Sequence, residues 1–328
     1  MIAQLPPGNG VRMARVGAID CGTNSIRLLV ADVTGAGAGA DLRDVHREMR
    51  IVRLGQGVDA TGEFAPEALE RTRAALVGYA AVLRGKGVER VRMTATSAAR
   101  DAGNRAEFFA MVRDVLGVDA EVISGAEEAA LSFVGAVGDL DPADGPFLVT
   151  DVGGGSTELV VGTLTDGRAV VDHAFSADIG SVRITERCLP GDPPTPDEVE
   201  QARELAAGIL ATAFAAVPVA GVRTWVGVAG TITTLSAVAL RLREYDPAAV
   251  HLSRLTGPDL RRVSGELLGM SRAERTAHRA VHPGRIDVIG GGALVVDVLA
   301  AELARRAGVD EVVVSEHDIL DGIARSIA

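Results

Sequence analysis

The pattern Asp-x-Gly-x-x-Ser occurs twice, at Asp20-Cys21-Gly22-Thr23-Asn24-Ser25 and at Asp151-Val152-Gly153-Gly154-Gly155-Ser156, and the copies start 131 positions apart. Each follows an apolar run, Val16 to Ile19 or Phe147 to Val149, and leads into another, Ile26 to Ala31 or Leu159 to Val161. That is two strands joined by a Gly-rich turn. Glycine adopts positive φ without a Cβ penalty, so such a turn is expected to converge main-chain N–H groups on one point. A nest of donors binds phosphate oxygens, and the side chains of Thr23, Asn24, Ser25, Ser156 and Thr157 would add to it. Asp20 and Asp151, at the ends of the incoming strands, are placed to hold a divalent cation or orient water. Mg²⁺, or Mn²⁺ in its place, suits one or two carboxylates plus waters and substrate phosphates. One copy alone reads as a tight turn. Two copies with Asp and Ser in matching places predict hairpins that grip one phosphorylated ligand from both sides of a cleft.

Other residues could join them. Glu127 and Glu128 follow a Ser124-Gly125 turn between a strand and a helix. There, paired carboxylates can be mere dipole partners, but the carboxyl end of a strand is also where open α/β sheets place their ligand crevice. One of the pair could then act as general base on water. Arg100 opens a helix after Thr96-Ser97, and its planar fork suits phosphate; a surface Arg would look the same. Gly230-Thr231 forms a third strand-to-helix junction, compatible with phosphate at a helix N-terminus or with a packing glycine. Glu158, on the strand leaving the second hairpin, could join Asp151 at a metal or form a salt bridge. His278 and His282 read as surface residues.

Alternating strands and helices must position these groups, which predicts an α/β layer fold. A strand is expected near Asp44 to Arg53, a helix over Pro66 to Leu83 from its apolar spacing, and a strand over Val88 to Thr94. One helix is expected from Thr96 to about Leu116, a strand over Val118 to Ile123, and a helix from Ala129 to Val137. In the second half, a helix starts at Asp197, a strand spans Arg223 to Val228, and a helix follows Ala229-Gly230-Thr231. Helices are expected over Gly257 to Gly269, Ser271 to Val281 and Asp287 to Ala307, then a strand over Glu311 to Val314 and a terminal helix from Asp318 to Ala328. Thr34 to Asp41, rich in Gly and Ala, reads as a surface turn.

A length of 328 residues favours two domains. Aromatic residues are only 3% of the chain, too few for the stacking platforms of single-strand nucleic-acid readers. The net charge of −11 argues against a nucleic-acid or anionic-membrane partner. The first hundred residues nevertheless carry 14 Lys and Arg against 10 Asp and Glu, enough to steer an anion locally or simply to solvate helix faces. Lys86 lies outside any Gly-x-x-x-x-Gly-Lys-Ser/Thr pattern, which excludes a P-loop enzyme. Cys21 and Cys188 are too few for a disulfide framework or zinc site, as befits a reducing cytoplasm. Residues 1–13 read as a disordered tail, with no signal peptide. No segment reads as a membrane span.

Together these segments resemble the exopolyphosphatase and guanosine pentaphosphate phosphatase (Ppx/GppA) family of the actin-like ATPase superfamily. The resemblance runs from Val16 onward and rests on Ala18 to Ser25, Thr96-Ser97-Ala98-Ala99-Arg100-Asp101-Ala102, Ile123-Ser124-Gly125-Ala126-Glu127-Glu128-Ala129, Asp151 to Glu158, and Ala229-Gly230-Thr231. Glycine hairpins indicate the superfamily; the Ser-Gly-x-Glu-Glu-Ala segment singles out the family. The resemblance implies two ribonuclease-H-like domains flanking a cleft, 14–135 and 136–317, with helix 318–328 packing back on the first. It implies Glu128 as the water-activating base, Asp151, Glu158 and Asp20 as metal ligands, and phosphate contacts from Gly22, Thr23, Asn24, Ser25, Arg100, Gly153, Gly154, Gly155, Ser156, Thr157, Gly230 and Thr231. The implied reaction is metal-dependent hydrolysis of the terminal phosphoanhydride of inorganic polyphosphate, releasing orthophosphate, in a short actinobacterial-type enzyme and as a homodimer. Many members carry Arg where this chain has Ala130, so one basic contact near the base differs.

Three other readings compete: a guanosine pentaphosphate 5′-phosphohydrolase, a non-catalytic alarmone or nucleotide sensor of the same fold, and a sugar or acetate kinase. No guanine-reading motif is identified.

Overall fold

The computed structural model describes residues 13–35, 41–165 and 168–327; residues 1–12 of the expected N-terminal tail and most of the Gly/Ala turn lie outside them, whereas Met13, expected in that tail, opens a strand. Eleven strands among these residues form two sheets: β1 Met13–Cys21, β2 Ser25–Thr34, β3 Asp41–Ile51, β4 Arg90–Ala95 and β5 Ala120–Val122 in the first, and β6 Phe147–Val152, β7 Thr157–Thr165, β8 Arg168–Ala177, β9 Thr224–Val228, β10 Arg254–Thr256 and β11 Glu311–Val314 in the second. The first sheet has the order β3-β2-β1-β4-β5. The second, β10-β11-β9-β6-β7-β8, repeats it with β10 added at one edge. In each, an antiparallel three-strand meander leads into parallel strands reached by helical crossovers. The duplicated hairpin is thus the first turn of a duplicated half. Central strands β1 and β6 are buried along nearly their whole length, as strands covered on both faces must be, whereas edge strand β3 is studded with charge.

The covering helices cross over. One face of the first sheet packs Ile19, Leu28 and Val30 with Leu76 and Tyr79 of the Pro66–Gly85 helix. Its other face packs Val16, Ala18 and Leu29 with Ile319, Leu320 and Ile323 of the Ile319–Ser326 helix. Conversely, the Gly125–Ala136 helix, which follows the first sheet in sequence and was grouped with it, buries Ala129 and Phe133 against Phe147, Val149 and Val160 of the second. The two crossing helices meet through glycine: a Cβ on Gly135 would lie 1.8 Å from the Asp318 carbonyl oxygen, and one on Gly322 2.0 Å from that of Leu131. No described helix is long and apolar enough to cross a membrane.

Several expectations need correction. The helix expected over Thr96–Leu116 is two, Ser97–Asp101 and Arg105–Leu116. The break comes where the Asn104 side chain ties to the Phe64 backbone, accepting at 2.8 Å and donating at 3.1 Å. The helix expected over Ser271–Val281 ends at Thr276, after which Ala277 and His278 donate to carbonyls three residues back and tighten into a turn. The Gly125–Ala136 helix begins four residues early because the Ser124 hydroxyl caps it, accepting from the Glu127 N–H at 3.2 Å. Glu127 and Glu128 therefore lie in its first turn. Strands β8 and β10 and the Ser181–Cys188 helix were not anticipated.

Candidate active site

The two hairpin turns close identically. Gly22 N–H donates to the Ser25 carbonyl at 2.9 Å, and Gly153 N–H to that of Ser156 at 3.0 Å. Neither turn uses positive φ, contrary to expectation. What requires glycine is close approach: a Cβ on Gly154 would fall 2.8 Å from Thr23 Cβ, and one on Gly155 2.7 Å from Ser97 Oγ and 2.8 Å from Thr23 Oγ1. The tips of the two hairpins touch. Behind the second, Gly153 and Gly154 carbonyls accept from Ser181, Val182 and Arg183 at the start of the Ser181–Cys188 helix, fixing the turn to its own half.

Where the halves meet lies a cleft of about 90 Å³. Asp20, Gly22, Thr23, Asn24 and Ser25 line it from one side, and Asp151, Gly153, Gly154, Gly155 and Ser156 from the other. Gly230 and Thr231 close it from the first turn of the Ala229–Ala239 helix, and Glu128 reaches in from its own helix. Three anticipated residues do not line it. Thr157 is buried, donating to the Ile179 carbonyl at 2.6 Å. Glu158 lies behind Asp151 and accepts from Ser176 Oγ at 2.7 Å. Arg100 donates to Glu128 at 2.7 Å and to the Ile123 carbonyl at 3.1 Å, so it backs the acid rather than facing the cleft.

The sequence reading missed Arg27, Arg285, Thr96, Ser181 and Asp318. Arg27 stands opposite Asp20 in the strand register, bonding it at 2.7 Å and clasping Asp318 as well. The signal was present: Glu158 stands opposite Asp151 in the same place of the second hairpin. One hairpin therefore presents an acid neutralised by a base, the other an acid doubled by an acid. Arg285 rests on Gly230, where a Cβ would be 2.1 Å from its Nη2. It lines both the cleft and a neighbouring cavity of about 360 Å³, into which Arg27, Arg47, Arg279 and Tyr245 also face.

Burial without enough compensating charge governs the acids. It pushes the Glu128 carboxyl up to about 7 against the opposing pull of Arg100. Asp151 rises to about 8 through burial and then the Asp318 charge, and Glu158 rises through burial and then Glu128 and Asp151. Burial also raises Asp20 against the pull of Arg27. The neighbouring Glu127 is instead exposed and paired to Arg92 at 2.7 Å, so only one of the two glutamates enters the site. Asp20 Oδ1 and Thr23 Oγ1 are buried without a hydrogen-bond partner. Surplus buried carboxylates and an orphaned acid oxygen are the donor set of a hard divalent cation, although Asp20, Asp151 and Glu158 do not converge within 4.8 Å as a trio. Such an ion fits with one or two of them and solvent.

Cys21 and Cys188 are both free and buried, and burial pushes their thiols up. They offer no nucleophile.

Among known proteins, the chain is 60% identical over 321 residues to a Mycobacterium tuberculosis protein named Exopolyphosphatase 2, covering 96% of this chain and 99% of that one. A solved exopolyphosphatase-like protein superposes with a TM-score of 0.91 at 44% identity, over 96% of this chain and 98% of that one. The Aquifex aeolicus PPX-GPPA enzyme superposes with a TM-score of 0.77 at 32% identity, covering 96% of this chain and all of the other (100%). Residues 29–327 match the family described as the Ppx/GppA phosphatase family. With its two halves of matching strand order, the chain belongs to the Ppx/GppA phosphatase family.

Proposed function

We propose that this protein is an exopolyphosphatase, hydrolysing the terminal phosphoanhydride of inorganic polyphosphate. The observation that carries the reading is the placement of Glu128: a buried acid held near neutrality, opening into a cleft walled by two phosphate-competent hairpins. The full-length likeness to a protein named Exopolyphosphatase 2 supports the substrate.

The terminal phosphoryl group would sit between the hairpin tips, with Thr23 Oγ1 free to donate to it. Glu128 accepts a proton from water as its oxygen bonds to phosphorus; the anhydride P–O bond breaks, and orthophosphate and the shortened chain leave. Arg100 opposes the burial that raises Glu128 and so favours its ionised form, and Arg285, which lines the cleft, offsets charge on the substrate. One or two of Asp151, Glu158 and Asp20, completed by solvent, would hold the cation, for which all-oxygen donors favour Mg²⁺ over softer ions. When bound, that ion neutralises phosphate oxygens. The adjoining cavity and its arginines give room for the rest of the polyanion.

That cavity also favours a second reading. Tyr245, Met49 and Pro283 beside the arginines could seat a nucleoside, making guanosine pentaphosphate an alternative substrate. Glu128→Ala should lower phosphate release from polyphosphate by about 10²–10⁴-fold while polyphosphate binding persists. Turnover at the wild-type rate would remove Glu128 as base, and faster release from guanosine pentaphosphate than from polyphosphate would favour the second substrate.

A further inference from the structure

Both chain crossings between the sheets pass one cluster of ligating side chains. Asp139 lies three residues beyond the Gly125–Ala136 helix, and His317 sits between β11 and the Ile319–Ser326 helix. His251, just past the short Pro247–Val250 helix of the second half, completes the group. His317 Nδ1 is 2.5 Å from Asp139 Oδ2, His251 Nε2 is 3.5 Å from the same oxygen, and the two rings are 4.9 Å apart. Among the described residues, this is the group of three His, Cys, Asp or Glu whose ligand atoms all fall within 4.8 Å of one another. None of the three lines the phosphate cleft.

We propose that Asp139, His251 and His317 form a zinc site that staples the two crossings together. Two imidazole nitrogens and one carboxylate oxygen are a borderline donor set that Zn²⁺ accepts, with water in the fourth position. All three side chains are partly exposed, so that water has access. Mg²⁺ prefers oxygen alone, and the cleft and the cluster would sort the two ions. Tetrahedral ligands about 2.1 Å from zinc stand roughly 3.4 Å apart. The His251–Asp139 distance already meets this, and the His317–Asp139 contact must open by about 1 Å.

The rearrangement is small. Glu316 N–H is 3.3 Å from His251 Nδ1, which places the His251 proton on Nε2, facing Asp139. Binding zinc at Nε2 moves that proton to Nδ1 and gives up this one long hydrogen bond; at His317 the ion replaces the Nδ1 proton, the neutral ring keeping one proton on Nε2 and any second one passing to solvent. The ion would join the helix that begins beside Glu128 to the segment whose Asp318 clasps Arg27. It would therefore brace the cleft from outside it.

The test uses the full chain with saturating MgCl₂, so that the cleft is filled, and titrates ZnCl₂ by calorimetry. Wild type should bind one zinc ion that His317→Gln and His251→Gln each bind at least about tenfold more weakly. Zinc should raise the melting temperature of wild type more than that of either variant. Cobalt(II) should give wild type the visible absorption of a four-coordinate ion, absent from both variants. Equal zinc affinity in all three proteins, or folded wild type that takes up neither zinc nor cobalt, overturns the proposal.

Discussion

Arg100 donates to Glu128 at 2.7 Å while a second bond to the Ile123 carbonyl holds it behind the acid. Its charge opposes the burial that raises Glu128. Removing it must raise Glu128 further, and a base that works ionised then needs a higher pH. Arg100→Gln should shift the acid limb of the kcat/KM profile upward by roughly 1 pH unit or more, with most of the loss recovered at high pH. A pH-independent loss would mean that Arg100 contacts phosphate directly.

The carboxylates of the cleft link pH to stability. Glu128 and Asp151 titrate near 7 and 8 in the folded chain, against ordinary values of 4.5 and 3.8. Between these limits the folded state holds more protons on these two acids than the unfolded one, so their contribution to stability is fully present below about pH 4 and is lost as pH rises toward 8. In EDTA, the part of the pH dependence due to these acids should be a decline of a few kcal/mol. Asp151→Asn should flatten it, and Mg²⁺ should restore stability at pH 8. Denaturant titrations at several pH values check this, and identical slopes in wild type and variant would contradict it.

Arg27 compensates two buried acids at once, Asp20 and Asp318, whose side chains are 6% and 5% exposed. Arg27→Met strands both, an expected cost of about 3–5 kcal/mol in urea unfolding. Adding Asp20→Asn should recover part of that loss. Strict additivity of the two substitutions would show that they do not interact.

Gly135→Ala and Gly322→Ala each drive a methyl group into the backbone of the opposing helix. Each should cost about 3 kcal/mol or more. The exposed Gly208, in the middle of the Pro196–Ala216 helix with nothing within 4 Å of an added Cβ, is the control: Gly208→Ala should stabilise by about 0.5–1 kcal/mol. Melting curves separate the two outcomes.

Local patterns in the sequence carried much of this architecture. The repeated Asp-x-Gly-x-x-Ser turns and the Gly257–Gly269 helix are written in short windows, where spacing and capping decide the structure. What escaped depends on distant partners. The break at Asn104 needs Phe64, 40 positions away, and the significance of Arg27 needs Asp318, 291 positions on. The glycines of the second hairpin were recognised for the wrong physical reason, because contact with Thr23 and Ser97 is invisible before the halves are brought together. Strand β8, with charged residues interrupting its apolar ones, has too weak an alternation to stand out alone.

The cover over Val16, Ala18 and Leu29 is supplied by Ile319, Leu320 and Ile323, nearly three hundred positions later. During synthesis from the N-terminus, the half that emerges first must therefore wait with a greasy flank bare until the Ile319–Ser326 helix clears the ribosome. The second half can meanwhile close over its own borrowed helix, which is already made. Order of manufacture and order of completion are thus reversed, and a chain that stalls late exposes its oldest sheet to aggregation.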